Sequence, residues 1–349
     1  MKRSLFTGLI FIFSLGIACA GEFLEISPDY TLRFPRDLYY KDGYRLQWWY
    51  FTGHLFDPEG REFGYELTFF VVGVQTRAYK SKFGVNNIYI SHFALTDVSG
   101  KKFYNFEKSD PGAYGFAGAE KKELKVWVDV NELSGTADKM HLRANGAETE
   151  LDLTIVAGKP VVLHGDNGYS RKSEESSEFA SWYFSYTDMQ TSGSLKIGNQ
   201  TFSVNGRSWF DREISSGRMG SSEKGWDWFA IQLNDGRQVM LYLMRKSDGT
   251  VDRYSSGTLV YKDGRYRHLS VDDFRITALR HYKSAKTGII YPAEWKISLP
   301  GEGLDLKVTP LLEDQEFVAS YSTGNNYWEG TCRVEGRATG RAYVELTGY

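Results

Sequence analysis

The sequence predicts an all-β protein built as two tandem antiparallel domains, on three observations. Aromatic residues make up 15% of the 349, and 36 Gly accompany only 8 Pro, a mixture that suits strands and tight turns better than helices. Alternating or β-rich runs bounded by turn residues recur along the chain, whereas no window sustains helical periodicity for more than about three turns. The third observation is a duplicated pattern, described below.

The amino terminus reads as a secretory signal over residues 1–20. Lys2 and Arg3 supply a positive start, and Leu5 to Ala18 is an almost unbroken apolar run that is short for a membrane span. Three outcomes are open: Ala18-Cys19-Ala20 fits cleavage before Gly21, Gly16-Ile17-Ala18-Cys19 is an imperfect lipoprotein box that would leave Cys19 lipidated, and the segment could stay as an uncleaved anchor. All three place the remaining chain outside the cytoplasm, in the periplasm or attached to the envelope. Lys+Arg (42) and Asp+Glu (44) nearly cancel, so no broad basic field awaits nucleic acid. Two cysteines, Cys19 and Cys332, exclude a disulfide framework and multi-cysteine metal sites.

Strands are expected at Trp48–Phe56, Phe63–Val74, Asn87–Thr96, Leu124–Val130, Glu150–Val156, Trp226–Leu233, Gln238–Arg245, Gly257–Tyr261, Glu294–Leu299 and Arg341–Thr347. Asp57-Pro58-Glu59-Gly60, Asn234-Asp235-Gly236, Ser247-Asp248-Gly249 and Lys262-Asp263-Gly264 supply turn chemistry between such runs. The polar stretch Asp166–Phe179 reads as an exposed loop, and Arg212–Lys224 as a linker. Trp48-Trp49-Tyr50 through Asp57, then Gly60-Arg61, aligns with Trp226-Asp227-Trp228 through Asp235, then Gly236-Arg237. Gly206–Asp211 likewise aligns with Gly340–Glu345. Both coincidences fall in the same order, which supports related domains at 21–215 and 216–349.

Strand alternation assigns faces. Trp226, Trp228, Ala230 and Gln232 share one side and Asp227, Phe229, Ile231 and Leu233 the other. Trp209 lies with Asp211, and Tyr343 with Glu345. Trp48, Tyr50 and His54 oppose Trp49, Phe51 and Leu55, and Glu66 and Thr68 oppose Tyr65, Leu67 and Phe69. Polar groups thus recur on faces that a barrel could turn inward around an apolar ligand. The candidate catalytic acids are Asp211, Asp227 and Glu345. The candidate ligand contacts are Trp48, Trp49, Tyr50, Glu66, His92, Trp209, Trp226, Trp228, Tyr242, Trp328 and Tyr343. No nucleophile elbow, phosphate loop, dinucleotide fingerprint or metal-chelating histidine pair is present, so neither a metal nor a cofactor is expected.

The blocks FPRD (34–37), WWYFTGHLFDPEGREFGYELTFF (48–70), SHFALTD (91–97), SWFDRE (208–213), GWDWFAIQLNDGRQVMLYLMR (225–245), YPAEW (291–295) and YWEGTCRVEG followed by ELTGY (327–349) resemble a bacterial secreted lipocalin-like family. That family includes the AttH-type proteins, often labelled predicted secreted hydrolases, and carotenoid hydratase (hydroxyneurosporene synthase); SWFDRE is closer to the AttH branch. The resemblance implies two lipocalin-like β-barrels. It also implies either a binding protein for an isoprenoid or lipid-like molecule, serving an ABC-type transport system, or a hydratase or isomerase of polyenes. In the second case a buried carboxylic acid protonates the alkene and aromatic faces stabilise the cation. Hydrolysis has the least support, since no activated nucleophile is visible.

Overall fold

A computed structural model describes residues 22–76 and 84–349. The proposed signal and Cys19 lie outside those residues. Two curled, barrel-like antiparallel sheets account for nearly all regular structure, as expected of an all-β chain; the helical elements among the described residues are 3-10 turns of three residues each.

The first sheet contains β1 (Leu46–Phe56), β2 (Glu62–Gly73), β3 (Asn87–Asp97), β4 (Lys102–Asp110), β5 (Ala117–Ala119), β6 (Leu124–Val128), β7 (Asn131–Gly135), β8 (Lys139–Asn145), β9 (Thr149–Ala157), β10 (Val162–Leu163), β11 (Tyr169–Arg171), β12 (Ala180–Ile197) and β13 (Gln200–Ser215). Its order is β4-β3-β2-β1-β13-β12-β9-β8-β7-β6-β5, with β10 and β11 added on β12. The second contains β14 (Glu223–Leu233), β15 (Gln238–Lys246), β16 (Ser256–Val260), β17 (Tyr266–Ser270), β18 (Arg275–Lys283), β19 (Ile290–Leu299), β20 (Leu304–Pro310), β21 (Glu316–Val318), β22 (Asn326–Gly336) and β23 (Gly340–Thr347). Its order is β17-β16-β15-β14-β23-β22-β20-β19-β18, with β21 on β22.

The duplicated segments occupy equivalent places. β1 pairs with both β2 and β13, and β14 with both β15 and β23, so each half sets its opening strand beside its closing one. Both opening hairpins turn on a left-handed glycine, Gly60 (φ +81°) and Gly236 (φ +90°), a conformation that a side chain disfavours. Tyr50 pairs with Asp211 in the first half and Trp228 with Glu345 in the second, which are the positions the repeat aligns.

Two readings of loops change. β13 runs through Ser215, which shortens the connector to residues 216–222. The polar stretch after Asp166 is not a free loop: it carries β11, buries Ser170 and Ser173, and docks through Lys172 on Glu213 (3.1 Å). Its serines and charges face partners on β12, β13 and β15, and local sequence cannot show such partners.

Each sheet folds around its own apolar core. Trp49, Phe51, Leu55, Tyr65, Leu67 and Phe69 fill the first, and Phe229, Ile231, Leu233, Trp295 and Trp328 the second. The opposite faces of the same strands are also buried, because the sheets pack outer face to outer face. Tyr50, Tyr183, Trp209, Trp228, Met240, Tyr242 and Tyr343 form the apolar part of this seam.

Candidate functional site at the seam

The seam is layered because β1, β2, β13, β14, β22 and β23 each contribute every second residue to it. At one end Trp48, Phe70, Met219 and Trp226 are only partly buried, beside the connector. Next comes a layer of acids and aromatics: Tyr50 and Asp211 on one side, Trp228, Glu345 and Glu329 on the other. Trp209, Glu66 and Tyr343 lie deeper, at the level of Thr52 and Ala230. The far end is closed by polar links across the sheets: Arg341 to Glu62 (2.5 and 2.9 Å), Gln232 Nε2 to Thr187 O and Ser208 O (2.8 and 3.0 Å), and His54 Nδ1 to Thr331 Oγ1 (2.8 Å). Outside that closure lies a groove of about 610 Å³ against His54, Gln190, Arg207, Gln232 and Arg341. A Cβ on Gly64 would lie 2.6 Å from Thr331 Cβ, so glycine sets how closely the sheets approach there.

Asp211 is 4% exposed and has only neutral donors on its carboxyl oxygens. Tyr183 OH donates to Oδ2 (2.5 Å), Trp209 Nε1 to Oδ1 (2.6 Å), and Ser185 Oγ to Oδ1. Trp228 Nε1 in turn donates to Tyr183 OH (3.0 Å). Because the single hydroxyl proton of Ser185 points at Asp211, its oxygen accepts from His164 Nε2 (2.6 Å), and His164 Nδ1 accepts from Thr258 Oγ1 (2.8 Å). Burial pushes Asp211 up to about 7, with repulsion from Glu213 adding to it and the three hydrogen bonds opposing. Glu213 itself is answered by Lys172, which sits over the rings of Tyr183 (4.8 Å) and Tyr242 (4.6 Å).

Three further carboxyls lie in the seam: Glu66 on the same sheet as Asp211, and Glu329 and Glu345 on the facing sheet. Glu66 and Glu329 are fully buried; Thr68 Oγ1 donates to Glu66 Oε1 and Tyr50 OH to Glu329 Oε1. Glu345, partly exposed, stands opposite Glu329 on the neighbouring strand. Burial raises all three. It lifts Glu345 to about 8, helped by Asp211 and Glu213 and opposed by a hydrogen bond from Trp226. Such a group of protonated or proton-sharing carboxyls beside indole and phenol rings can deliver protons to an apolar molecule.

Not all the residues expected at the site meet there. Trp49 lies in the first core, its Nε1 donating to Leu38 O (2.7 Å) beneath the Arg212 guanidinium (3.8 Å to the ring centre). Trp328 lies in the second core, bonded to Glu313 O (2.8 Å). Asp227 faces the second core rather than the seam, and is held by Arg245 (2.8 Å) and Tyr349 OH (2.8 and 2.9 Å). His92 flanks the seam between Tyr327 OH (2.7 Å) and Ser322 Oγ (2.8 Å), where burial presses it down to about 3 and keeps it neutral. Tyr242 bonds Ser170 Oγ (3.2 Å) and Tyr254 O (3.0 Å) at the opposite flank. Tyr183, Ser185, His164, Lys172, Glu213 and Glu329 were not singled out from the sequence. Of these only Glu329 carried a usable signal, an acid beside Tyr327-Trp328 in the partner strand of Glu345. Among the described residues, no group of three or more His, Cys, Asp or Glu is placed to hold a metal ion.

A family model described as AttH-like matches residues 25–349. The crystal structure of an AttH candidate from Nitrosomonas europaea is 30% identical, with a TM-score of 0.85, over 93% of this chain and 99% of that one. Kievitone hydratase of Fusarium solani subsp. phaseoli is 22% identical over 224 residues, so the chain spans about 60% of the length of that curated relative. The crystal structure of kievitone hydratase from Nectria haematococca is 15% identical with a TM-score of 0.71, covering 95% of this chain and 97% of that one, a likeness of fold. Matched from residue 25 to its carboxyl terminus and nearly end to end with the Nitrosomonas structure, this double lipocalin-like chain belongs to the AttH-like family.

Proposed function

We propose that the seam is an acid–base active site that adds water to, or isomerises, a carbon–carbon double bond in an apolar isoprenoid- or polyene-like molecule. The observation that carries this reading is Asp211: a buried carboxyl with neutral donors only, whose proton is retained to about pH 7. It gives that proton to an alkene carbon, and the cation left on the neighbouring carbon lies against the faces of Trp209, Trp228 and Tyr50. The substrate enters where Trp48, Phe70, Met219 and Trp226 are partly exposed. The Ser185–His164–Thr258 chain holds Asp211 in place. The likeness to kievitone hydratase supports the same reaction class.

Incubation with acyclic isoprenoids (geraniol, farnesol, lycopene) in D₂¹⁸O is expected to yield an alcohol labelled with ¹⁸O, or a shifted double bond carrying solvent deuterium. Asp211→Asn is expected to yield neither. A wild-type protein that transfers no label to any of the panel would remove this reading.

A second reading is favoured by the partly exposed apolar end: an exported protein, periplasmic or lipidated at Cys19, that carries such a molecule for a transport system without changing it. Extraction of the protein from cells and mass spectrometry should then find an intact apolar ligand, released unaltered; recovery of an alcohol in place of the alkene would oppose it.

A further inference from the structure

Three buried polar atoms of the seam have no hydrogen-bond partner among the described residues: Glu66 Oε2, Glu329 Oε2 and Tyr343 OH. Their residues are 0, 0 and 1% exposed. They come from both sheets, and each acid has its other oxygen fixed, by Thr68 and Tyr50, which holds the free oxygen in a set direction. Gly64 and Thr331 touch across the seam, Glu66 and Glu329 stand two residues along from them on the same strand faces, and Tyr343 pairs with Thr331, so the three groups cluster at one place between the sheets. Buried polar groups without partners destabilise a fold, and a site with about two to four such groups is what an internal water requires.

We propose that Glu66, Glu329 and Tyr343 hold one water molecule, and that this water is the nucleophile of the hydration suggested above, on which the inference rests. Asp211 forms the new C–H bond and becomes a carboxylate. The water oxygen then bonds to the cation while one of its O–H bonds breaks, and that proton passes to the Glu66–Glu329 pair. Two like carboxyls in a dry site do not both ionise near neutrality, so the pair works between its singly ionised and fully protonated forms. Glu345, opposite Glu329 and repelled by the Asp211 charge, completes a row of carboxyls along which the proton returns to Asp211. One water is consumed and the enzyme regains its starting protonation.

The test has two arms. A high-resolution crystal structure of the mature chain is expected to show an ordered water bonded to all three atoms, lost in Tyr343→Phe; a dry site, or one filled only by a substrate oxygen, would overturn the proposal. In labelled water, Glu329→Gln is expected to lose ¹⁸O incorporation about 100-fold while solvent deuterium still exchanges into the alkene, because the acid step is intact. Asp211→Asn should lose both labels. If Glu329→Gln loses both equally, or keeps both, the water is not delivered from this site. Tyr343→Phe, which removes a single hydroxyl, gives the same split on a smaller scale should Glu329→Gln fail to fold. A wild-type chain without either label removes the hydration reading, and with it the water's role as nucleophile, whereas the crystal arm still decides whether the water is there.

Discussion

The two faces of β14 are both buried, yet they treat an aspartate-bearing strand differently from the seam beyond. On the inner face Asp227 is 6% exposed and is met by the Arg245 guanidinium and the Tyr349 hydroxyl. Across the outer face Asp211 is 4% exposed and is met by a phenol, an indole and a hydroxyl. Burial is nearly equal and raises both carboxyls, but at Asp227 the Arg245 charge opposes it, so the partners separate the two. A guanidinium neutralises a carboxylate and turns it into scaffold, while neutral donors leave it costly to ionise and therefore ready to keep a proton. In the cores Trp49 and Trp328 give their N–H groups to backbone carbonyls and the Trp295 indole N–H alone lacks a partner among the described core tryptophans, whereas in the seam unpaired atoms of Glu66, Glu329 and Tyr343 gather in one place. Such departures from full satisfaction are expected at functional sites rather than in scaffolds.

Asp211→Asn is the harshest way to break this contrast. It should lower turnover by about 10³-fold, with the fold intact by circular dichroism, because Asn keeps the shape and loses the proton. Arg245→Leu does the converse. It leaves Asp227 buried without its cation and should cost about 3 kcal/mol in urea unfolding, while turnover per folded molecule stays at the wild-type level. Gly64→Ala should cost about 1–3 kcal/mol by pressing a methyl group against Thr331 and spreading the sheets.

The pH dependence of stability sharpens the same contrast. Asp211 has a folded value near 7, above about 3.9 in the unfolded chain, so its contribution is complete below about pH 4 and is lost as pH rises through about 7. His54 and His92, pressed to about 3 by burial, act in reverse: their contribution is present above about pH 6.5 and lost as pH falls toward 3. Relative to wild type, Asp211→Asn should therefore lose less melting temperature as pH rises from about 4 to 7, while the share of Glu66, Glu329 and Glu345 and the acid-side loss from the histidines persist. The smallest effect is expected of Trp209→Phe. Removing the indole N–H takes away one of the bonds that favour the carboxylate, so the limb where activity falls with rising pH should move upward, with less than about a tenfold change in rate.

Much of this architecture is legible in the sequence. Alternation sorted Trp226, Trp228, Ala230 and Gln232 from Phe229, Ile231 and Leu233 correctly, and the repeat aligned Asp211 with Glu345 and Tyr50 with Trp228. Which of the two faces turns to the core is not legible where both are buried: Trp48 and Trp49 are equally aromatic, and only the packing of a second sheet separates them. His164, Ser185 and Thr258 come from three separate strands or loops, each with an unremarkable local pattern, and converge only when β12 and β16 meet across the seam. Glu329 differs from these, since its place opposite Glu345 follows from the last hairpin alone.

What sets the seam apart is that it holds the proton of the Asp211 carboxyl up to about pH 7. Carboxyl ¹³C NMR of the mature chain, with Asp211→Asn used to assign the resonance, measures this without a substrate. A titration midpoint near 7 is the expected result. A resonance that stays ionised down to the ordinary aspartate range, about 3.9, would contradict it.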